Sequence, residues 1–176
     1  MLEKYMQSLK LFFAGDFCPV LRIEEYAKEG ISGKIFNDIT EILADADYSI
    51  VDLECPLIAA GNPIKKTGPN LKADPVTMNL LKFASVDAVA MANNHIRDYG
   101  EKGLLETIEL CRSNSIETIG VGKNLEEARE PLKIEINRKK LAILNFTENE
   151  WSNTYGEQAG ANPLDLVDNY NDIQKA

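Results

Sequence analysis

One junction constrains this sequence more than any other feature. The apolar run Val86-Asp87-Ala88-Val89-Ala90-Met91-Ala92 is short enough to be a buried strand. It passes directly into Asn93-Asn94-His95-Ile96-Arg97-Asp98-Tyr99-Gly100, and then into Glu101 to Ser113, which has helical spacing. A strand that feeds a helix through a polar turn is a building unit of α/β sheets. In such sheets ligands bind outside the carboxyl ends of the strands. The single histidine of the chain, His95, stands at that edge among amides and a carboxylate.

The same pattern recurs on either side. Leu9 to Ala14 reads as a first strand, stopped by Gly15-Asp16, and Cys18-Pro19 begins a loop. Ile35 to Ala44 carries apolar residues at helical spacing. Tyr48 to Leu53 is a second strand, running into Glu54-Cys55-Pro56. Ala59 to Pro75 is rich in Gly, Pro, Lys and Asn and predicts a long loop, a kind of segment that is often functional in compact domains. Asp74 is the expected N-cap of a short helix through Phe83. After the third strand, the helix from Glu101 is expected to bury Leu104, Leu105, Ile108 and Cys111. Glu117 to Gly122 is a short fourth strand, and Leu125 to Arg129 a helical turn. Leu132 to Ile136 and Lys140 to Phe146 form a hairpin through Asn137-Arg138. A last helix is expected from Pro163. Strands alternating with helices predict an α/β fold, with a mixed, mostly parallel sheet and flanking helices.

Bulk properties bound the function. A chain of 176 residues is one domain with a real core. Its net charge of −9 repels phosphate backbones, so nucleic acid is not an expected partner. Cys18, Cys55 and Cys111 have neither CxxC spacing nor a disulfide-framework pattern, which favours free thiols. Cys18 and Cys55 each follow closely after a candidate site carboxylate, and each precedes a proline. They read first as small buried residues, then as reactive thiols or soft metal ligands. Met1 to Lys10 is polar, so no leader or membrane span is expected and the chain as written reads as cytoplasmic.

Three successive strands end in groups able to ligate metal or move protons: Asp16, Glu54, and Asn93-Asn94-His95. Parallel strands would bring them to one rim. Asn145, Thr147 and Glu148, after the hairpin, form a fourth candidate group. Oxygen and nitrogen donors of this kind suit Mn²⁺, Fe or Zn²⁺. Two such ions could clamp a phosphoryl group, with Glu54 bridging them. Each residue also has a purely structural reading: Asp16 and the asparagines as turn formers, Glu54 as a solvated charge, His95 as a core histidine, Arg97 as a surface residue, Asp98 as the N-cap of the next helix. The coincidence at three strand ends is what favours a site.

Longer pieces of the chain match a known family. They are Phe13-Ala14-Gly15-Asp16; Asp47 to Leu57, containing Leu53-Glu54-Cys55-Pro56-Leu57; Asp87 to Gly100, containing Asn93-Asn94-His95 and Asp98; and Gly120 to Asn124 with Glu127-Ala128 and Pro131. In these the chain resembles the CapA family of bacterial capsule and poly-γ-glutamate synthesis proteins, distant relatives of the calcineurin-like metallophosphoesterases. The resemblance runs from about Leu9 to Trp151. It implies the N-terminal part of an αββα sandwich, with metal bound by Asp16, Glu54 and Asn94. It also implies that His95 touches substrate or protonates a leaving group, with Asn93 and Asp98 orienting their neighbours. Arg97 is a candidate contact for an anionic substrate.

The activity implied by the resemblance is metal-dependent hydrolysis of a phosphoester or related bond, on an anionic polymer or a phosphorylated small molecule. The alternative it allows is a noncatalytic accessory role in polymer synthesis or export. Members are often membrane-anchored and extracellular. Two departures stand out. Cys18 occupies the place of a metal-binding histidine of the phosphoesterases, and the later histidine motifs of that superfamily have no counterpart. The expectation is therefore a single domain over residues 1–176 that is incomplete at its C-terminal end, with an open sheet edge through which copies could pair.

Overall fold

The computed structural model describes residues 8–176; the polar opening at residues 1–7 lies outside the described residues. Four strands, β1 (Leu11–Phe17), β2 (Tyr48–Leu53), β3 (Ala88–Ala90) and β4 (Glu117–Ile119), form one sheet in the order 1-2-3-4. All three pairings are parallel. Every strand therefore ends at the same edge. The registers align Asp16 with Asp52, Asp52 with Ala90, and Ala90 with Ile119, so the ends form a level row.

The connections supply the layers. Between β1 and β2 lie α1 (Arg22–Glu29), α2 (Gly33–Phe36) and α3 (Ile39–Ala44). A 3₁₀ turn (Pro75–Thr77) and α4 (Met78–Phe83) precede β3, and α5 (Gly100–Ser113) joins β3 to β4. The inward face of the sheet, with Val51, Leu53, Val89 and Met91, packs on Leu43 of α3, Met78 and Leu81 of α4, and Leu104, Ile108 and Cys111 of α5. This side holds most of the core.

Beyond β4 come β5 (Val121–Gly122), α6 (Leu125–Arg129), β6 (Leu132–Ile136), β7 (Lys139–Ile143), β8 (Gly160–Ala161) and α7 (Leu166–Lys175). β6 and β7 pair antiparallel through Asn137 and Arg138, both with positive φ (52° and 65°). The hairpin forms its own ribbon and does not extend the parallel sheet. Its Leu132 and Ile143 instead cover the second face of the sheet at Ile50, Ala88 and Ile119. Helices lie on one face and a β-ribbon on the other; the α/β fold is as expected, but the sheet is wholly parallel, because the hairpin expected to make it mixed stands apart.

Several boundaries differ from the sequence reading, each for a physical reason. β1 continues through Gly15-Asp16 to Phe17. The register slips between Phe13 and Asp16, where three steps on β1 face two on β2. Such a bulge absorbs the extra residue and re-aims a side chain. Helix α1 lies in the stretch read as a loop from Cys18-Pro19; Ile23, Tyr26 and Ala27 share one face, and it ends on Gly30 at φ 71°, a common left-handed stop. The single helix expected from Ile35 to Ala44 is two, broken at Asn37 (φ 41°). The expected strand from Glu117 to Gly122 is likewise two, broken at Gly120 (φ 79°). A Cβ on Gly120 would meet Asn145 Oδ1 at 2.7 Å and Ala92 Cβ at 2.8 Å, so only glycine lets the chain turn there. Leu105 is exposed, and Thr107 takes the buried place beside Leu104 and Ile108. α7 starts at Leu166, where Asp165 accepts from Val167 N and Asp168 N; Pro163 lies earlier, bridged to Thr147. No helix among the described residues is long and apolar enough to cross a membrane.

Candidate functional site at the strand ends

The three expected strand ends do meet. Asp16 stands near the end of β1, exposed, directly opposite Asp52 on β2. Glu54 follows β2, and its backbone N–H donates to Phe17 O at 3.2 Å, which holds the two strand ends together. From the neighbouring end, His95 brings Nε2 to 4.0 Å from Glu54 Oε1. The side chains of Glu54 and His95 are 24% and 14% exposed, so both are reachable from solvent yet framed by protein.

Asn93 is the joint between the second and third strand ends. Its Nδ2 donates to Leu53 O at 2.9 Å and makes longer contacts, 3.4 Å, to both carboxylate oxygens of Asp52. Its Oδ1 accepts from His95 N (3.1 Å) and Ile96 N (2.9 Å). An Asn that mimics a backbone turn in this way fixes the conformation of the residues after it. Asn93 thus sets where His95 points. The side chain of Asn94, half-buried, makes no hydrogen bond with the described residues and is the amide left available.

Asp98 does not cap α5; Tyr99 occupies the cap position, without a side-chain bond. Asp98 is fully buried instead, and Oδ2 lies 2.7 Å from His95 Nδ1. The same oxygen accepts from Leu71 N at 2.7 Å. Oδ1 forms an ion pair with Lys66, whose side chain is 2% exposed. Lys66 Nζ is also 3.1 Å from His95 Nδ1. A carboxylate can only accept, so the short contact assigns the imidazole hydrogen to Nδ1, and Lys66 serves Asp98. Nε2 is then the nitrogen left facing Glu54 and the rim.

Lys66, reached from the long loop, and Asp52 are members that sequence reasoning missed. The loop has a functional character in sequence, but no local pattern separates Lys66 from Lys65 or Lys72; its meaning comes from burial. Asp52 lies inside an apolar strand. Burial lifts its carboxyl to about 6, partly offset by the Asn93 hydrogen bond and reinforced by the charges of Asp16 and Glu54. Arg97 is drawn away from the rim: its guanidinium donates to Asn153 O (3.3 Å), Glu101 (3.2 Å) and Gln158 (3.5 Å), tying down the segment before β8. Asn145 is also spent on structure, since its Oδ1 accepts from Ala92 N at 2.6 Å.

Among the described residues, no three His, Cys, Asp or Glu side chains are arranged to hold a metal ion. The donor chemistry suits a divalent cation, and the crowding of Asp16, Asp52 and Glu54 is a charge excess that a cation would relieve. The side chains do not close on a common point. Cys18 and Cys55 adjoin this rim. The neighbouring Cys55 thiol holds the Cys18 thiol below its usual range, and Cys18 in turn pushes that of Cys55 far up. Cys111 lies apart in the core, where burial raises it to about 12.

Comparison with known proteins gives the family. The family model described as "Bacterial capsule synthesis protein PGA_cap" matches residues 10–176. The chain is 25% identical over 145 residues to "Capsule biosynthesis protein CapA" of Bacillus anthracis, covering 81% of this chain and 35% of that protein. It is 24% identical over 142 residues to "PGA biosynthesis protein CapA" of Bacillus subtilis strain 168, covering 80% and 37%. A "Probable polyglutamine synthesis accessory protein" of Mycobacterium tuberculosis is 26% identical over 106 residues, covering 60% and 28%. The chain spans roughly a third of the length of these relatives. With nearly its whole length matched, the chain belongs to the bacterial capsule synthesis protein family PGA_cap.

Proposed function

We propose that the rim of Asp16, Glu54, Asn94 and His95 serves the synthesis of an anionic capsular polymer of the polyglutamate type by hydrolysing a phosphoester or a related bond. The observation that carries this reading is the His95–Asp98 pair at 2.7 Å, with Nε2 turned toward Glu54. A buried carboxylate that holds one imidazole nitrogen fixes ring and tautomer, leaving the other to take or deliver a proton. Asn93 keeps the ring in place through the turn, and Lys66 supplies the counter-charge of Asp98 without opening it to water. A divalent cation is part of the proposal. Asp16, Glu54 and Asn94 would hold it, and when bound it would polarise the scissile group.

A second reading has its own observation. His95 is the sole histidine, and the described residues offer no ready ligand cluster. A noncatalytic accessory protein could keep this fold and use the rim to bind polymer. One experiment decides between them: turnover of an aryl phosphate by the purified chain with added Mn²⁺. The hydrolytic reading expects metal-dependent turnover, reduced about 100-fold or more in His95→Ala. Absence of turnover with Mn²⁺, Fe²⁺ or Zn²⁺, together with retention of polyglutamate, would replace it with the accessory reading.

A further inference from the structure

We propose that Cys18 and Cys55 form a reversible disulfide that fastens the ends of β1 and β2 beside the rim. The placement comes from the sheet. Phe17 and Leu53 are register partners, and Glu54 N donates to Phe17 O at 3.2 Å. Cys18 and Cys55 leave these paired ends almost in step. Neighbouring strands run about 4.8 Å apart, inside the Cα separation that a disulfide spans. Cys18 also packs against the buried cluster that contains Cys55. Proline follows each cysteine, Pro19 and Pro56, and fixes φ just past each sulfur.

Exposure divides the roles. Cys18 is half-buried and open to a small reagent, whereas Cys55 is fully buried against it. A small-molecule disulfide such as oxidised glutathione is the oxidant. The Cys18 thiolate attacks one of its sulfurs, forming a mixed disulfide and releasing one glutathione thiol. Cys55, losing its proton, then attacks Cys18 Sγ and expels the second. Two protein thiols are oxidised, and one glutathione disulfide is reduced to two thiols. Asp16 lies two residues before Cys18 and Glu54 one before Cys55, so the bond fixes the spacing of the two candidate ligands. Formation of the bond does not depend on what the rim does; only its effect on turnover rests on the hydrolytic reading.

The test is incubation of the folded chain with oxidised glutathione, followed by thiol counting in denaturant and peptide mapping. The expected result is a fall from three free thiols to one, with a Cys18–Cys55 linked peptide and Cys111 still alkylatable. Dithiothreitol should restore all three. Cys18→Ser, at the half-exposed position, should keep both remaining thiols free. Three persisting thiols in the wild type would overturn the proposal. So would a lasting glutathione adduct on Cys18, or linkage through Cys111. Aryl phosphate turnover, followed separately, reports on the rim and leaves the thiol result standing whichever way it falls.

Discussion

Asp98 and Lys66 form an ion pair with almost no contact with solvent, the side chains 0% and 2% exposed, at the back of the only imidazole in the chain. Such a pair adds little net stability, but removing one partner strands a buried charge. Asp98→Asn leaves the Lys66 ammonium unpaired and takes the strong acceptor from His95 Nδ1. The expected loss is on the order of 3–5 kcal/mol in urea unfolding. Adding Lys66→Met should recover more than about 1 kcal/mol, as expected of coupled sites. Strict additivity would show that the pair is not coupled.

Asp52 makes stability depend on pH. Its carboxyl, ordinarily near 3.8, rises to about 6 in the folded chain, chiefly through burial. The folded state therefore holds this proton more tightly than the unfolded chain. The benefit is full below pH 3.8 and is lost as pH climbs through the window up to about 6. In chelator, Asp52→Asn should be more stable than wild type above pH 7 by on the order of 1–2 kcal/mol, discounted because the group is partly exposed. Near pH 4 the two should coincide. An advantage that grew on acidification would contradict the assigned direction.

Asn93→Ala removes the bond to Leu53 O and both bonds that shape the turn at His95 N and Ile96 N. A cost of about 2–3 kcal/mol is expected, since several buried partners lose their match together. The His95 ring resonances should broaden as its backbone loosens. Unchanged resonances with full stability would show that Asn93 does not position the ring.

Gly120→Ala should cost about 2 kcal/mol or more, from a disfavoured positive φ and a Cβ driven against Asn145 and Ala92. Gly15→Ala is the control: nothing lies within 4 Å of its added Cβ. Equal losses at both positions would rule out close approach as the cause.

Much of the site was legible because it rests on a simple rule. Parallel strands with polar residues at their ends must share an edge, and Asp16, Glu54 and His95 do. The hairpin was legible from alternation and an Asn-Arg turn. Other features depend on tertiary contact. A lysine in a loop reads as solvated, so nothing local marks Lys66 as the counter-charge of Asp98. Asp98 itself looks like a helix cap from spacing alone, and only its burial shows otherwise. Asp52 is hidden in an apolar strand whose neighbour supplies its meaning. Arg97 has the composition of an anion contact, but besides Glu101 on α5 its partners lie more than 50 residues away on the segment before β8.

The loop between β2 and α4 is stitched to one residue: Ile64 N donates to Asp98 O, Leu71 N to Oδ2, and Lys66 closes on Oδ1. Loop and imidazole therefore belong to a single opening unit. Whatever disturbs the ring will release protected amides on a segment with no regular secondary structure over most of its length. Hydrogen exchange at residues 64 and 71 then becomes a remote gauge of events at the rim.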